Sequence, residues 1–474
     1  MTADDDKKAQ QIRERVLRAP DHNVIARMRV HGFWPKAAGL PEDPVDEAAE
    51  RRTLDAERGS LLAQVKLSPA ELDAALAKER ARRIEESRAK RTQGLAARAE
   101  AARLRRQAWV AQRASTLVHA GVGVSGGLQD TESDDGKLLA AGLPLMRTAN
   151  DVARLLDVTL PVLRWLTYHR ATATLVHYHR FSFAKKSGGR RHISAPKPQL
   201  KRAQQWVFAN ILQRVADAEH LSPAAHGFVA TRNVVSNALP HVGRAVVVNL
   251  DLADFFPSIS FVRVRGVFHS LGYSGAVSTV LALLCTEPPR VPVSVDGKRV
   301  HVAMGARQLP QGACTSPALT NLLCRRLDLR LTGISTALGF SYTRYADDLT
   351  FSSSNTVDVA TLLWRVRSVV SDEGLTINED KTRVMRRGSR QEVTGVVVND
   401  RPAVARHEVR QLRAILHGAQ RDGLAAQRRP VDGALPETGA FVAQLRGRIA
   451  WVQMVDRSKG DRLRAALDAL LTSA

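Results

Sequence analysis

Residues 341–352 read SYTRYADDLTFS, and this stretch constrains the fold more than any other. Polar and apolar side chains alternate on both sides of a tight centre, so the segment is predicted to form a β-hairpin. Its turn presents two neighbouring carboxylates, Asp347 and Asp348. Successive side chains on a flat strand point to opposite faces, so adjacent acids converge on one ion only where the backbone turns between or beside them. A hairpin tip supplies that turn. Most Asp-Asp pairs at turns are simply solvated, so a second element has to give this one a chemical role.

That element lies upstream, at residues 245–259, AVVVNLDLADFFPSI. A run of valines forms a plausible buried strand that ends in Asp251. A carboxylate at the end of a core strand is paired, bound to metal, or exposed by the turn that follows. Nucleotidyl transfer uses two Mg²⁺ ions about 4 Å apart, one activating the attacking hydroxyl and one holding the triphosphate. Carboxylates from two strands suit these oxygen-seeking ions. The bland alternative for Asp251 is a turn acid at a strand end.

The residues resemble those of reverse transcriptases. Tyr345-Ala346-Asp347-Asp348 is similar to the Y-x-D-D signature, and Asp251 with Phe255-Phe256 to the first palm motif. Leu309-Pro310-Gln311-Gly312, followed by Thr315-Ser316-Pro317, resembles the L-P-Q-G-x-x-x-S-P element, and residues 378–382, NEDKT, a fourth motif. The resemblance implies an α+β right-hand polymerase of fingers, palm and thumb with a basic helical N-terminal extension. It implies Asp251 and Asp347 as principal ligands of two Mg²⁺ ions, with Asp348 assisting and the Leu252 carbonyl as a further donor. Phe256, five positions after Asp251, would be the aromatic that crowds a ribose 2′-hydroxyl, and Phe255 a core residue. Gln311 and Gly312 would let the backbone approach the nucleotide, since glycine has no side chain to block it. Lys381 would act on the leaving pyrophosphate. A basic hairpin at residues 185–193, KKSGGRRHI, resembles the fingers element that grips the triphosphate; Arg191 is the expected contact with Lys185 or Lys186 beside it, and a one-residue shift would exchange Arg191 for Arg190.

Two inserts narrow the resemblance to retron reverse transcriptases: Asn237-Ala238-Leu239-Pro240-His241, similar to their N-A-x-x-H element, and Val393-Thr394-Gly395, similar to their V-T-G element. The basic N-terminal extension is similar in composition to that of myxobacterial-type enzymes. The resemblance implies a cognate structured non-coding RNA, deoxynucleoside triphosphates, and an RNA-linked single-stranded DNA product (msDNA) primed by a guanosine 2′-hydroxyl. It also implies a role in anti-phage defence with an effector protein partner. No RNase H motif is recognisable, so template removal would fall to a host RNase H. Asn237 and His241 are candidates for RNA contacts or for capping a helix near the palm. Trp206, Trp364 and Trp451 are expected to pack in cores.

The remaining sequence sets the frame. The formal charge of +23, from 70 Lys and Arg against 47 Asp and Glu, points to a polyanionic partner. The three cysteines show neither zinc nor disulfide spacing and are expected as reduced thiols. The longest apolar run falls far short of the ~20 residues of a membrane helix, so a soluble, cytoplasmic protein without membrane contact is expected. Residues 68–117 are rich in Ala, Arg, Glu and Leu and predict one long helix or a broken pair, capped by Ser68-Pro69, with a basic face able to lie along phosphates. A Gly- and Asp-bearing stretch at 121–142 is expected as a linker. The domains are therefore 1–140, extension and linker; 141–399, fingers and palm; and 400–474, a helical thumb with Arg406, Arg410, Arg413, Arg446 and Arg448 along the duplex. The rivals are a group II intron-type or diversity-generating reverse transcriptase and, from another class, a non-catalytic RNA-binding scaffold.

Overall fold

The computed structural model describes residues 27–33, 49, 52–57, 59, 69–184, 189–216, 221–355, 357–430 and 435–472. Lys185 and Lys186 of the basic hairpin lie outside the described residues, as does Ser68 at the expected helix cap. Two compact units divide the chain, 1–104 and 105–474.

Helix α1 (Pro69–Ser115) is continuous over 47 residues, which answers the choice between one helix and two. Ala, Leu, Arg, Glu and Gln are strong helix formers. Glu79 accepts hydrogen bonds from Arg82 and Arg83, and Glu100 from Arg103, each about one turn away. The described side chains are almost all exposed, so propensity and ion pairs sustain α1 rather than an apolar stripe.

Chain order from residue 135 runs α2 (Asp135–Ala140), α3 (Ala149–Leu155), α4 (Leu160–Thr167), β1 (Thr172–Ala173), β2 (Tyr178–Ala184), β3 (Arg190–Pro196), α5 (Pro198–Val207), α6 (Val234–Ala238) and β4 (Val246–Leu252). There follow α7 (Phe261–Ser270), α8 (Gly275–Cys285), β5 (Arg290–Val295), β6 (Lys298–Ala303), α9 (Ser316–Leu323), α10 (Arg325–Ala337), β7 (Ser341–Tyr345) and β8 (Asp348–Ser353). The chain continues through α11 (Val359–Asp372), β9 (Ile377–Arg386), β10 (Glu392–Val393), β11 (Val396–Val397), α12 (Arg406–Asp422), α13 (Thr438–Val455) and α14 (Arg457–Thr472).

The expected right-hand polymerase is present. Its palm is an antiparallel sheet of order β7-β8-β4-β9. Strand β4 alternates its inward residues, Val248 and Leu250, with Phe351 of β8 over Leu327 and Leu331 of α10 and Leu362 and Val366 of α11. In the fingers, β2 and β3 pair as an antiparallel hairpin. The three C-terminal helices close a core of their own through Leu412, Leu416, Leu445, Ile449 and Leu463.

Two expectations fail. The stretch 121–142 is packed rather than a linker: Val124, Leu128 and Leu138 share a core with Leu163, Val207 and Leu281, which also takes in Leu117. Its acids are loop and cap residues, since Asp130 accepts from the Gly275 N–H at the first position of α8 and Asp134 accepts from the Lys137 N–H to cap α2. A Gly- and Asp-rich composition marks turns as readily as a boundary, and the packed fold therefore begins near residue 117 rather than 141. Trp364, expected in a core, is 69% exposed, because Leu362 and Val366 supply the buried face of α11. Trp206 and Trp451 do pack against cores. All three thiols are free. Among the described residues no helix is long and apolar enough to cross a membrane.

Candidate active site

Asp347 and Asp348 stand where the hairpin pattern predicts. Tyr345 pairs with Asp348, leaving Ala346 and Asp347 as a two-residue loop. Ala346 has φ +58° while Asp347 does not share it, the φ signs of a type II′ turn, whose twist matches paired strands. Asp251, on β4, is registered directly against Asp348 on β8. The Leu252 N–H donates to the Asp347 carbonyl at 3.0 Å, joining the strand end to the turn. On the other side Asp251 faces Asn378 of β9, just past a register shift that begins at Asn249.

The electrostatics ask for a cation. Burial, with the Asp347 and Asp251 charges, pushes the Asp348 carboxyl up to about 7. Asp347 is raised as well, by burial first and then by Asp251. Lys381 donates from Nζ to both Asp251 oxygens, at 2.8 and 2.9 Å, and that bond raises its own pKa. Among the described residues no three His, Cys, Asp or Glu side chains gather as ligands of one ion in this arrangement. The donor set fits hard divalent cations nonetheless: it is all carboxylate oxygen, Asp347 and Asp348 are held against ionisation, and a side-chain ammonium already sits on Asp251.

Beneath the turn lies a buried network with no sequence signal of its own. Arg344, fully buried on β7, forks onto Asp328 of α10, with Nε to Oδ1 and Nη2 to Oδ2 both 2.8 Å. Its Nη1 donates to Asn321 Oδ1 at 3.1 Å and to the Ala346 carbonyl at 3.2 Å. The Tyr342 hydroxyl also donates to Asp328, and Asn321 Nδ2 donates to the Gly227 carbonyl. Gly227 is where a side chain is excluded, because a Cβ there would lie 2.5 Å from the Ala346 nitrogen. Alternation alone gives Arg344 no reason to be buried; only its pairing with α10 does so.

The fingers contribute arginines of different standing. Arg190 is tied across the hairpin to Ser182, Nε to Oγ at 2.8 Å. Arg191 is close enough to Asp347 to lower its pKa. Both line a cavity of about 580 Å³ together with Asp254, Gln308 and Gln311. Gly312, at φ +115°, makes its close approach to β3 rather than to open space: a Cβ there would meet Ile193 Cγ2 at 2.8 Å, and the Ser194 N–H donates to the Gln311 carbonyl at 2.7 Å. Phe255 is a core residue, and the half-buried Phe256 packs against it with ring centroids 5.6 Å apart.

The two inserts meet. Thr394 and Gly395 are the loop between β10 and β11, with φ +47° and +84°, as a type I′ turn requires. Thr394 Oγ1 donates to the Val234 carbonyl of α6 and accepts from Asn237 Nδ2 at 3.4 Å. Val393 is buried with Ala238 and Val247. Asn237 and His241 are both fully buried, so of the two expected roles the structural one describes their contacts. His241 Nδ1 lies 2.6 Å from Ser352 Oγ, and Nε2 lies 2.8 Å from Thr343 Oγ1. Those hydroxyls sit on the two strands of the Asp347–Asp348 hairpin, which His241 therefore bridges.

A palm of this topology with acids at the strand end and hairpin turn is that of a template-copying polymerase, and residues 183–412 match the family model described as reverse transcriptase (RNA-dependent DNA polymerase). The chain is 42% identical over 393 residues to the retron Mx162 reverse transcriptase of Myxococcus xanthus, covering 78% of each. It is 44% identical over 340 residues to the retron Mx65 reverse transcriptase of the same organism, covering 71% of this chain and 75% of that one. To the retron Ec86 reverse transcriptase of Escherichia coli it is 35% identical over 284 residues, 59% of this chain and 81% of that one. The chain belongs to the retron reverse transcriptases. Its similarity to a solved telomerase of Candida albicans is remote, with TM-score 0.37 at 9% identity over 61% of this chain and 56% of that one.

Proposed function

We propose that Asp251, Asp347 and Asp348 hold the divalent ions of nucleotidyl transfer, and that the chain copies a cognate structured RNA into single-stranded DNA attached to that RNA through a guanosine 2′-hydroxyl. The observation that carries the site is the registration of Asp251 against Asp348, with the Asp347 carbonyl bonded to Leu252. When bound, Mg²⁺ would supply Lewis-acid activation of the attacking hydroxyl and charge neutralisation at the triphosphate. The protein's own part is to fix the acids and to manage charge. Lys381 keeps Asp251 neutralised in the resting site and, once released, is a mobile cation within reach of a leaving pyrophosphate. Arg191 is the fingers group offered to the triphosphate, since Arg190 is committed to Ser182. A guanidinium suits that anion by its fork of donors. Phe256 is placed after Asp251 to crowd the sugar, and Gln311 lines the adjoining cavity.

In this reading the chain from about residue 117 to 399 works as fingers and palm and 400–474 as thumb, with Arg406, Arg410 and Arg413 on one exposed face of α12. The priming and defence roles come from the retron family, as do an effector protein and a host RNase H as partners. The site is tested by deoxynucleotide incorporation on a primed RNA: Asp347→Asn with Asp348→Asn should abolish it, and surviving activity overturns the assignment. The branch is tested by expressing the gene with its flanking DNA and treating extracted nucleic acid with a debranching enzyme. Release of a short DNA is expected; polymerase activity with no branched product rejects the priming while leaving the polymerase.

A further inference from the structure

Helix α1 supplies none of the site residues above, and its glutamates are sorted to one side. At about 100° per residue, Glu71, Glu79, Glu85, Glu86 and Glu100 fall within an arc of about 120°. Arg82 and Arg103 lie in that arc and Arg83 about 40° beyond it, all three paired to its glutamates; Lys78 lies in it as well. Arg80, Arg88, Arg91 and Arg98 occupy an arc of about 80° on the opposite side, and Lys90 lies between the two arcs. All five are exposed and none makes an ion pair among the described residues. Asp73 is the acid on that side, almost two turns ahead of Arg80.

We infer that this unpaired face is a second RNA-contacting surface, which lies along the phosphate backbone of a helical RNA stem. The charges of this face add no ion pair to the helix, whereas glutamates neutralise the arginines of the other side. From Arg80 to Arg98 the face runs about 27 Å at ~1.5 Å per residue, a straight cationic track that matches regularly spaced phosphates better than a compact anion. An anionic membrane is the lesser fit, because an interfacial helix needs a continuous apolar stripe, whereas on this side α1 carries Leu76, Ile84 and Leu95 about two to three turns apart among the arginines. The choice of RNA rests on the polymerase being RNA-directed; the face itself rests on the charge sorting.

The test compares two full-length variants of equal charge. One carries Arg88→Gln, Arg91→Gln and Arg98→Gln on the unpaired face; the other carries Arg82→Gln, Arg83→Gln and Arg103→Gln on the paired side. Gln and Arg have similar helix propensity, and circular dichroism checks that helix content is kept. The probe is an RNA stem-loop of about 20 base pairs, bound across a salt series. Each lost phosphate contact should lower the log–log salt slope by about 0.7–0.9, so the first variant should lose about 2–3 and the second less than about 1. Equal losses in both variants would reduce the effect to net charge, and no loss in either would remove the face; both results overturn the proposal. Binding of phosphatidylserine vesicles that needs Arg88, Arg91 and Arg98, with RNA binding unchanged, would overturn it in favour of a membrane. Incorporation on a short primed RNA is run in parallel on the unmodified chain, so a failure of the polymerase reading is seen separately from a failure of this face.

Discussion

Arg344 offers the sharpest test of how the hairpin turn is held. Arg344→Met leaves the Asp328 carboxylate buried with its fork partner gone, and breaking a buried pair from one side costs about 3–5 kcal/mol. It also strips the Ala346 carbonyl of its 3.2 Å donor. Adding Asp328→Asn removes the stranded charge while keeping an acceptor for the Tyr342 hydroxyl, so at least ~2 kcal/mol should return. The turn's donor does not return. If the turn moves by about 1 Å, incorporation should stay down about 10²-fold in kcat in both variants. The assay is urea unfolding of each variant beside single-nucleotide incorporation on a primed RNA, with kcat and KM separated. Recovery of kcat in step with stability in the double variant would refute the reasoning, because Arg344 would then only offset Asp328 and the turn would hold itself.

Gly227→Ala places a Cβ 2.5 Å from the Ala346 nitrogen, so the turn must move, and a drop in incorporation of about 10²-fold is expected with a far smaller change in unfolding midpoint. In the chelator-treated protein, Asp348 holds its proton up to about 7 against an ordinary 3.8; the folded state binds that proton more tightly, so stability present at low pH is lost as pH rises through this window. Asp348→Asn should flatten that slope in a pH series of thermal unfolding, and added Mg²⁺ should oppose it. His241 behaves in the opposite sense: burial lowers it from 6.5 to about 3, so stability present above 6.5 is lost as pH falls toward 3, with His169 and His226, each at about 4, acting in the same direction. His241→Gln should make the acid limb shallower and, by loosening Thr343 and Ser352, lower kcat more than it raises KM.

What could be read from the sequence divides along one physical line. Asp251, Asp347 and Asp348 were legible because their positions follow from local rules: a valine run makes a strand, alternation makes a hairpin, and the end of one and the turn of the other are where acids stay accessible. The C-terminal helices were legible for the same reason, since Val409, Leu412 and Leu416 in one and Leu463, Leu467 and Leu471 in another recur at helical spacing. The supports were not. Arg344 reads as an exposed strand residue, and its burial depends on Asp328 and Asn321, 16 and 23 positions away. Asn237 and His241 read equally well as RNA contacts, and only the approach of Thr394, 157 positions on, and of Ser352 and Thr343 closes them into the fold. The Gly312 case turns on the same point, because its missing Cβ was attributable to a nucleotide until β3 proved to occupy the space. The hairpin that carries Asp347 and Asp348 is thus gripped from two sides, by Arg344 under its turn and by His241 across its strands. Both grips are made by side chains with no solvent exposure, so substitutions there should weaken catalysis without touching substrate, and because Thr343 and Arg344 are neighbours on one strand the two losses should couple rather than add in a double-mutant cycle.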